Sequence, residues 1–165
     1  PSVPPDAGWQ IDGTGDFNGD RKPDILWRNL QTGANVIWLL NGTAFASSVT
    51  LTPVPNPDWR IVGSGYFNGD GGSDILWRNV TTGQNTVWLM NGTALSSTTA
   101  LPAVTDLAWD ISGVGDYNSD GHSDILWRNS TTGQNVVWLM NGTTLSSTAT
   151  LTSVPDLSWD IRGPR

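Results

Sequence analysis

The feature that most constrains this chain is its period. Trp9, Trp59, Trp109 and Trp159 stand 50 residues apart, and the segments that follow them repeat in phase. Self-similarity of this kind means that one supersecondary unit is copied, and that each copy hides its apolar face against the next. Residues 59–108 and 109–158 agree at roughly two-thirds of positions, sharing Asp-Ile-Leu-Trp-Arg-Asn, Thr-Thr-Gly-Gln-Asn and Val-Trp-Leu-Met-Asn-Gly-Thr. The first repeat, 9–58, is looser, and a fourth begins at 159 and runs to 165. The chain therefore reads as one repeat domain, 1–165.

Each repeat contains four short segments of strand character, seen in the third as 109–114, 123–129, 135–140 and 144–151. Thr132-Gly133 and Asn141-Gly142 mark the turns between the later segments, the second as a type I′ hairpin, and Val154-Pro155-Asp156 leads to the next Trp. The two middle segments are apolar on both faces and must be covered from two sides, whereas the last is polar, as an outer edge strand would be. All fifteen acids are Asp, and one Lys (Lys22) is present, a composition poor in strong helix formers. The expected fold is all-β: blades of a β-propeller, with a β-trefoil or a β-prism as the alternatives that close with three repeats. A thirteenth strand is expected over 159–163, spare to the three blades, so self-association or membership of a longer propeller is expected too.

Composition removes several functions. A net charge of −7 with no cluster of Lys or Arg disfavours nucleic acid and anionic membrane surfaces. The longest apolar run, 36–40, is too short for a membrane-spanning helix. Absence of Cys excludes disulfides, zinc thiolates and thiol catalysis. His122 is the single His, and five of the seven Asp residues outside the acidic loops (Asp58, Asp106, Asp110, Asp156 and Asp160) recur with the repeats, so no acid–base pair or nucleophilic triad can be assembled and the chain is expected not to be an enzyme.

The loop between the first two segments carries the strongest motif. In the third repeat Asp116, Asn118, Asp120 and Asp124 are spaced D-x-N-x-D-x-x-x-D, with Gly121 at the sixth position and the His122 carbonyl at the seventh. Alternate oxygens around a bend opened by Gly suit a hard cation, and a set without nitrogen or sulfur favours Ca²⁺. The first loop has Asp16, Asn18, Asp20 and Asp24, with Arg21 in place of the Gly and the Lys22 carbonyl at seventh. The second keeps Asn68, Asp70, Asp74 and the Gly72 carbonyl, but Tyr66 replaces the first Asp. The expected order of affinity is third, first, second. Eight of the fifteen acids lie in these loops, so three divalent ions, adding +6, would bring −7 to −1. The competing reading is an Asx-rich turn without metal.

Phe17-Asn18-Gly19-Asp20, followed by Asp24-Ile25-Leu26-Trp27-Arg28, and its copies resemble FG-GAP/VCBS-type repeats, the calcium-loop blades of integrin α-chains and of many secreted proteins, propeller lectins among them. The resemblance spans nearly all of 9–153 and implies a propeller, Ca²⁺ in the acidic loops and an extracellular setting.

A ligand face is also legible. Up-and-down strands would bring Trp59 near Arg78, Asn79 and Asn85, with equivalents Trp109, Arg128, Asn129 and Asn135, and Trp9, Arg28, Asn29 and Asn35. A Trp ring for the apolar side of a pyranose, with Arg and Asn for its hydroxyls, is sugar-binding chemistry. The alternative is that Arg and Asn cap the turn. Trp27, Trp77 and Trp127, with Trp38, Trp88 and Trp138, read as packing between blades. The leading expectation is a secreted, Ca²⁺-stabilised carbohydrate-binding module with repeated sites; a protein-adhesion module and a ligand-free scaffold are the alternatives. Asn41, Asn79, Asn91, Asn129 and Asn141 stand in N-x-[ST] sequons, of which the Asn-Gly members read first as turns.

Overall fold

The computed structural model describes residues 8–161. Twelve strands form three four-stranded antiparallel sheets, each confined to one repeat and ordered as a simple meander. Sheet 1 comprises β1 (Trp9–Gly15), β2 (Asp24–Asn29), β3 (Asn35–Asn41) and β4 (Ala44–Leu51). Sheet 2 comprises β5 (Trp59–Gly65), β6 (Asp74–Asn79), β7 (Asn85–Asn91) and β8 (Ala94–Leu101). Sheet 3 comprises β9 (Trp109–Gly115), β10 (Asp124–Asn129), β11 (Asn135–Asn141) and β12 (Thr144–Leu151). The polar fourth strands are edges, as their sequence requires, and β1, β5 and β9 form the inner edges, with β5 in contact with both others.

Burial follows the two-faced pattern of the middle strands. Every residue of β6 and of β10 is buried. Two apolar cores result, one per seam. Between sheets 1 and 2, Phe17, Leu26, Ile37 and Leu51 meet Ile61, Ile75, Trp77, Trp88 and Met90. Between sheets 2 and 3, Phe67, Leu76, Val87 and Leu101 meet Ile111, Val114, Ile125, Trp127, Trp138 and Met140. Each repeat thus presents one set of side chains backwards and another forwards, which is why the pattern shows no alternation. Faces without a neighbouring sheet stay open: Ile11 is 55% exposed where Ile61 is 5%, and Leu151 is 44% exposed where Leu101 is 6%.

Two expectations need correction. The β11–β12 hairpin pairs Asn141 with Thr144, so its loop is Gly142-Thr143, and of these only Gly142 has positive φ, at 63°. That is the pattern of a type II′ turn, with Gly first, and not of type I′, which needs positive φ at both positions. The thirteenth strand is the second correction. Trp159–Ile161 carries no strand, Trp159 is 68% exposed, and the last two residues of the expected segment lie outside the described residues. A first strand here is held by the second strand of its own repeat, as β1 is by β2, and among the described residues 159–161 has no such neighbour.

Candidate functional site

The acidic loops sit at one end of the sheets, between the first and second strands. Their backbone has the bends that the motif calls for: φ is positive at the fourth position (Gly19 79°, Gly69 73°, Ser119 63°) and at the sixth (Arg21 65°, Gly71 85°, Gly121 89°). Arg21 holds a left-handed conformation that Gly adopts more readily. The oxygens at positions one, three and five turn onto the loop's own amides. Asp116 accepts from Asp120 N (3.1 Å) and Gly121 N (2.9 Å), Asn118 from Asp120 N (3.0 Å), and Asp120 from His122 N (2.9 Å). In the first loop Asp16 accepts from Gly19, Asp20 and Arg21 N–H, and Asp20 from Lys22 N–H. In the second, Asn68 and Asp70 keep the same bonds, and Tyr66 brings no carboxylate.

The acid at position nine is a different object. Asp24, Asp74 and Asp124 are fully buried. Asp74 accepts from Phe67 N (2.9 Å) and Asn68 N (3.2 Å) on one oxygen and from Met90 N (2.8 Å) on the other, tying the loop to the third strand. Asp24 and Asp124 do the same for Phe17 and Leu40 and for Tyr117 and Met140. Burial pushes the Asp74 carboxyl above the usual range, against those three N–H bonds and with a further push from Asp70. Hydrogen bonds from the His122 amide and the Asn118 side chain hold exposed Asp120 below it. For Ca²⁺ the fit is in the all-oxygen donor set and the bent backbone. Among the described residues no three acidic or His side chains converge as a finished metal centre.

At the opposite end lie the residues of the expected sugar face, and here the structure separates them. Arg28, Arg78 and Arg128 are buried, and their Nη donors go to the protein itself, while Arg28 Nε has no hydrogen-bond partner. Arg78 Nη1 donates to the Gly83 carbonyl (3.2 Å) and to Asn85 Oδ1 (3.1 Å), and Nη2 to the carbonyls of Val104 (3.1 Å) and Trp109 (2.9 Å). Arg28 and Arg128 repeat this set on Gly33, Asn35, Val54 and Trp59 and on Gly133, Asn135, Val154 and Trp159. Asn29, Asn79 and Asn129 cap the turn by accepting two N–H groups each, and Asn35, Asn85 and Asn135 donate to the carbonyls of Thr52, Pro102 and Thr152. The expectation that these Arg and Asn face a sugar is therefore replaced by the capping role. Their Nη groups and amides join each turn to the loop that leads to the next sheet.

What remains open at this end is aromatic. Trp59, Trp77 and Trp88, with Val54, Thr86 and Thr98, line a cleft of about 270 Å³ at the first seam. Trp109, Trp127 and Trp138, with Val104 and Val136, line the matching cleft of about 190 Å³ at the second. Within each, the middle-strand indoles tilt across one another at 4.8 Å between centroids. Trp77 Nε1 and Trp127 Nε1 are buried without a hydrogen-bond partner, as is Trp27 Nε1 on sheet 1, which lines neither cleft. The Arg28 guanidinium carbon lies 4.9 Å from the Trp77 ring centroid, and that of Arg78 lies 5.0 Å from Trp127. Trp9 stands half-buried on the open face of sheet 1, where no preceding sheet makes a seam. The second and third Trp of each cleft read from the sequence only as core; the Val that recurs in phase in the linking loop, at 54, 104 and 154, is the only pointer to the cleft wall.

A family model described as an FG-GAP-like repeat matches residues 16–77 and again 66–127, together more than half of the chain. No curated protein matches it.

Proposed function

The chain belongs to the FG-GAP-like repeat family, a repeat of β-structured adhesion or interaction modules, and from that premise we propose that its sheets are propeller blades of an extracellular module that holds glycans in its seam clefts. The observation that carries this reading is the recurrence, in phase, of one cleft lined by three indoles. Indole faces suit the C–H side of a pyranose. Two similar sites on one rigid body would bind weakly singly and more strongly together on a dense glycan surface. Propeller stacking is favoured over threefold closure by the open faces of sheets 1 and 3, marked by exposed Ile11 and Leu151.

Ca²⁺ belongs to the same reading. Asp116, Asn118, Asp120 and the His122 carbonyl would hold it best, then Asp16, Asn18, Asp20 and the Lys22 carbonyl, and last the second loop. When bound, the ion would cross-link the loop and offset its carboxylate charge. The test of function is a glycan array probed with the fluorescently labelled chain in Ca²⁺. Binding to a defined class of glycan supports the proposal. Silence on every glycan, together with capture of a protein ligand that free sugars do not displace, would assign the module to protein adhesion instead.

A further inference from the structure

Apart from the aromatic clefts, the inner strands surround a cavity of about 330 Å³ whose charged and polar lining is Gln10, Asp12, Arg60, Arg78, Asp110, Ser112 and Asp160. These residues break the repeat that the rest of the chain keeps. The residue after the marker Trp is Gln10, then Arg60, then Asp at both 110 and 160, so the first three copies carry a neutral, a cationic and an anionic side chain, while the buried Arg and Asn of the turns are the same in every copy. Each repeat faces this shared cavity with its own residues, so identity between copies has no packing role there.

Comparison of the two seams shows what the first one lacks. Arg78 is buried and bonds the Trp109 carbonyl, and the next residue, Asp110, provides its opposing charge. Arg28 is buried in the same way and bonds the Trp59 carbonyl, but the next residue is Arg60, a second cation that adds to its strain, relieved by Asp12. Arg60 Nη1 is buried without a hydrogen-bond partner. An ionic N–H removed from water and left unpaired is unfavourable, and a carboxylate is its natural partner. Arg78 also lines the cavity but is already engaged by Asp110 and the Trp109 carbonyl, so a simple anion would satisfy Arg60 but meet three carboxylates, Asp12, Asp110 and Asp160. A simple cation would leave Arg60 as it is.

We propose that this cavity binds a small dipolar ligand of the α-amino acid type, with its carboxylate on Arg60 and its ammonium toward Asp110. Its volume lies at the lower end of small-molecule sites, enough for a ligand of this size. The site shares no lining residue with the seam clefts or the acidic loops.

Three probes separate the alternatives by calorimetric titration of the whole chain: L-serine, which carries both charges, glycolate, which carries only the carboxylate, and ethanolamine, which carries only the ammonium. The expected result is saturable binding of L-serine, with each single-charge probe at least about ten-fold weaker. Arg60→Gln should weaken L-serine at least about ten-fold and remove any residual glycolate binding, and Asp110→Asn should weaken L-serine and ethanolamine, with circular dichroism and melting temperature of both variants confirming that the sheets are kept. No saturable heat with L-serine, glycolate binding as tightly as L-serine, or an unchanged affinity in Arg60→Gln would each overturn the proposal.

Discussion

The guanidinium carbon of Arg28 stands 4.9 Å from the centre of the Trp77 ring, so a residue of sheet 1 covers the central indole of sheet 2. The same Arg donates forward to the Trp59 carbonyl and back to Gly33 and Asn35 of its own turn. One side chain therefore closes a turn, fixes the linking loop and seals the seam. The relationship recurs between Arg78 and Trp127, which makes the Arg the fastener of the stack.

Removing that fastener should be severe. Arg78→Ala strips partners from the carbonyls of Gly83, Val104 and Trp109 and from Asn85, all at a buried junction. A loss of about 3–5 kcal/mol is expected, in the range seen when one member of a buried charged network is deleted. Arg78→Lys should recover little, because one ammonium cannot reproduce the planar fork. Urea denaturation of both variants checks this, and a loss under about 1 kcal/mol would contradict the role.

Glycines in the two kinds of bend should respond differently. Gly83 has φ +75° and lies against the Val104 carbonyl, where an added Cβ would collide with backbone. Gly71 has φ +85° but open space around it. Gly71→Ala should lose about 1 kcal/mol from backbone strain alone, and Gly83→Ala clearly more. Equal shifts in denaturation midpoint for the two would show that the turn-to-loop contact is not tight.

Calcium should stabilise through the loops in a set order. With about 1 mM Ca²⁺ and a Kd near 10 µM, each site adds roughly 2.7 kcal/mol by mass action. Melting in Ca²⁺ and in excess EDTA measures the sum, and Asp120→Asn should reduce the difference more than Asp70→Asn does. A melting temperature indifferent to EDTA would leave the loops as Asx turns.

Acidity offers a separate handle on Asp74. Its folded carboxyl lies above the unfolded value, chiefly through burial, so the native state binds that proton more tightly. The resulting stability is complete below the unfolded pKa of about 3.9 and is lost as pH rises through the folded value. In EDTA, Asp74→Asn should therefore gain on the natural chain as pH rises from about 4 toward neutrality, whatever its absolute loss from the altered Phe67 and Met90 bonds. A stability difference that stays flat with pH would show that Asp74 does not titrate abnormally.

The period, the four strands and the polar edge were legible because each is a local pattern of residue types. The partition of the Trp residues was legible in part: Trp77 and Trp127 are 1% exposed, as two-faced strands demand. Arg78 and Asn85 misled because donors that cap carbonyls are the same residue types that would hold sugar hydroxyls. The available signal was their fixed spacing, Arg, Gly five residues on and Asn seven on, kept even in the looser first repeat. The clefts were not legible, since Val54 and Trp88 lie 34 positions apart and only seam packing brings them together.

The most direct test follows the indole N–H resonances by nuclear magnetic resonance while galactose, mannose, fucose and N-acetylglucosamine are added in turn to about 10 mM, a range in which millimolar affinity is visible. The account predicts that at least one sugar shifts the signals of Trp59, Trp77 and Trp88 together with those of Trp109, Trp127 and Trp138, and leaves Trp27, Trp38 and Trp159 in place. Shifts confined to Trp residues outside the clefts, or none with any sugar, would contradict it.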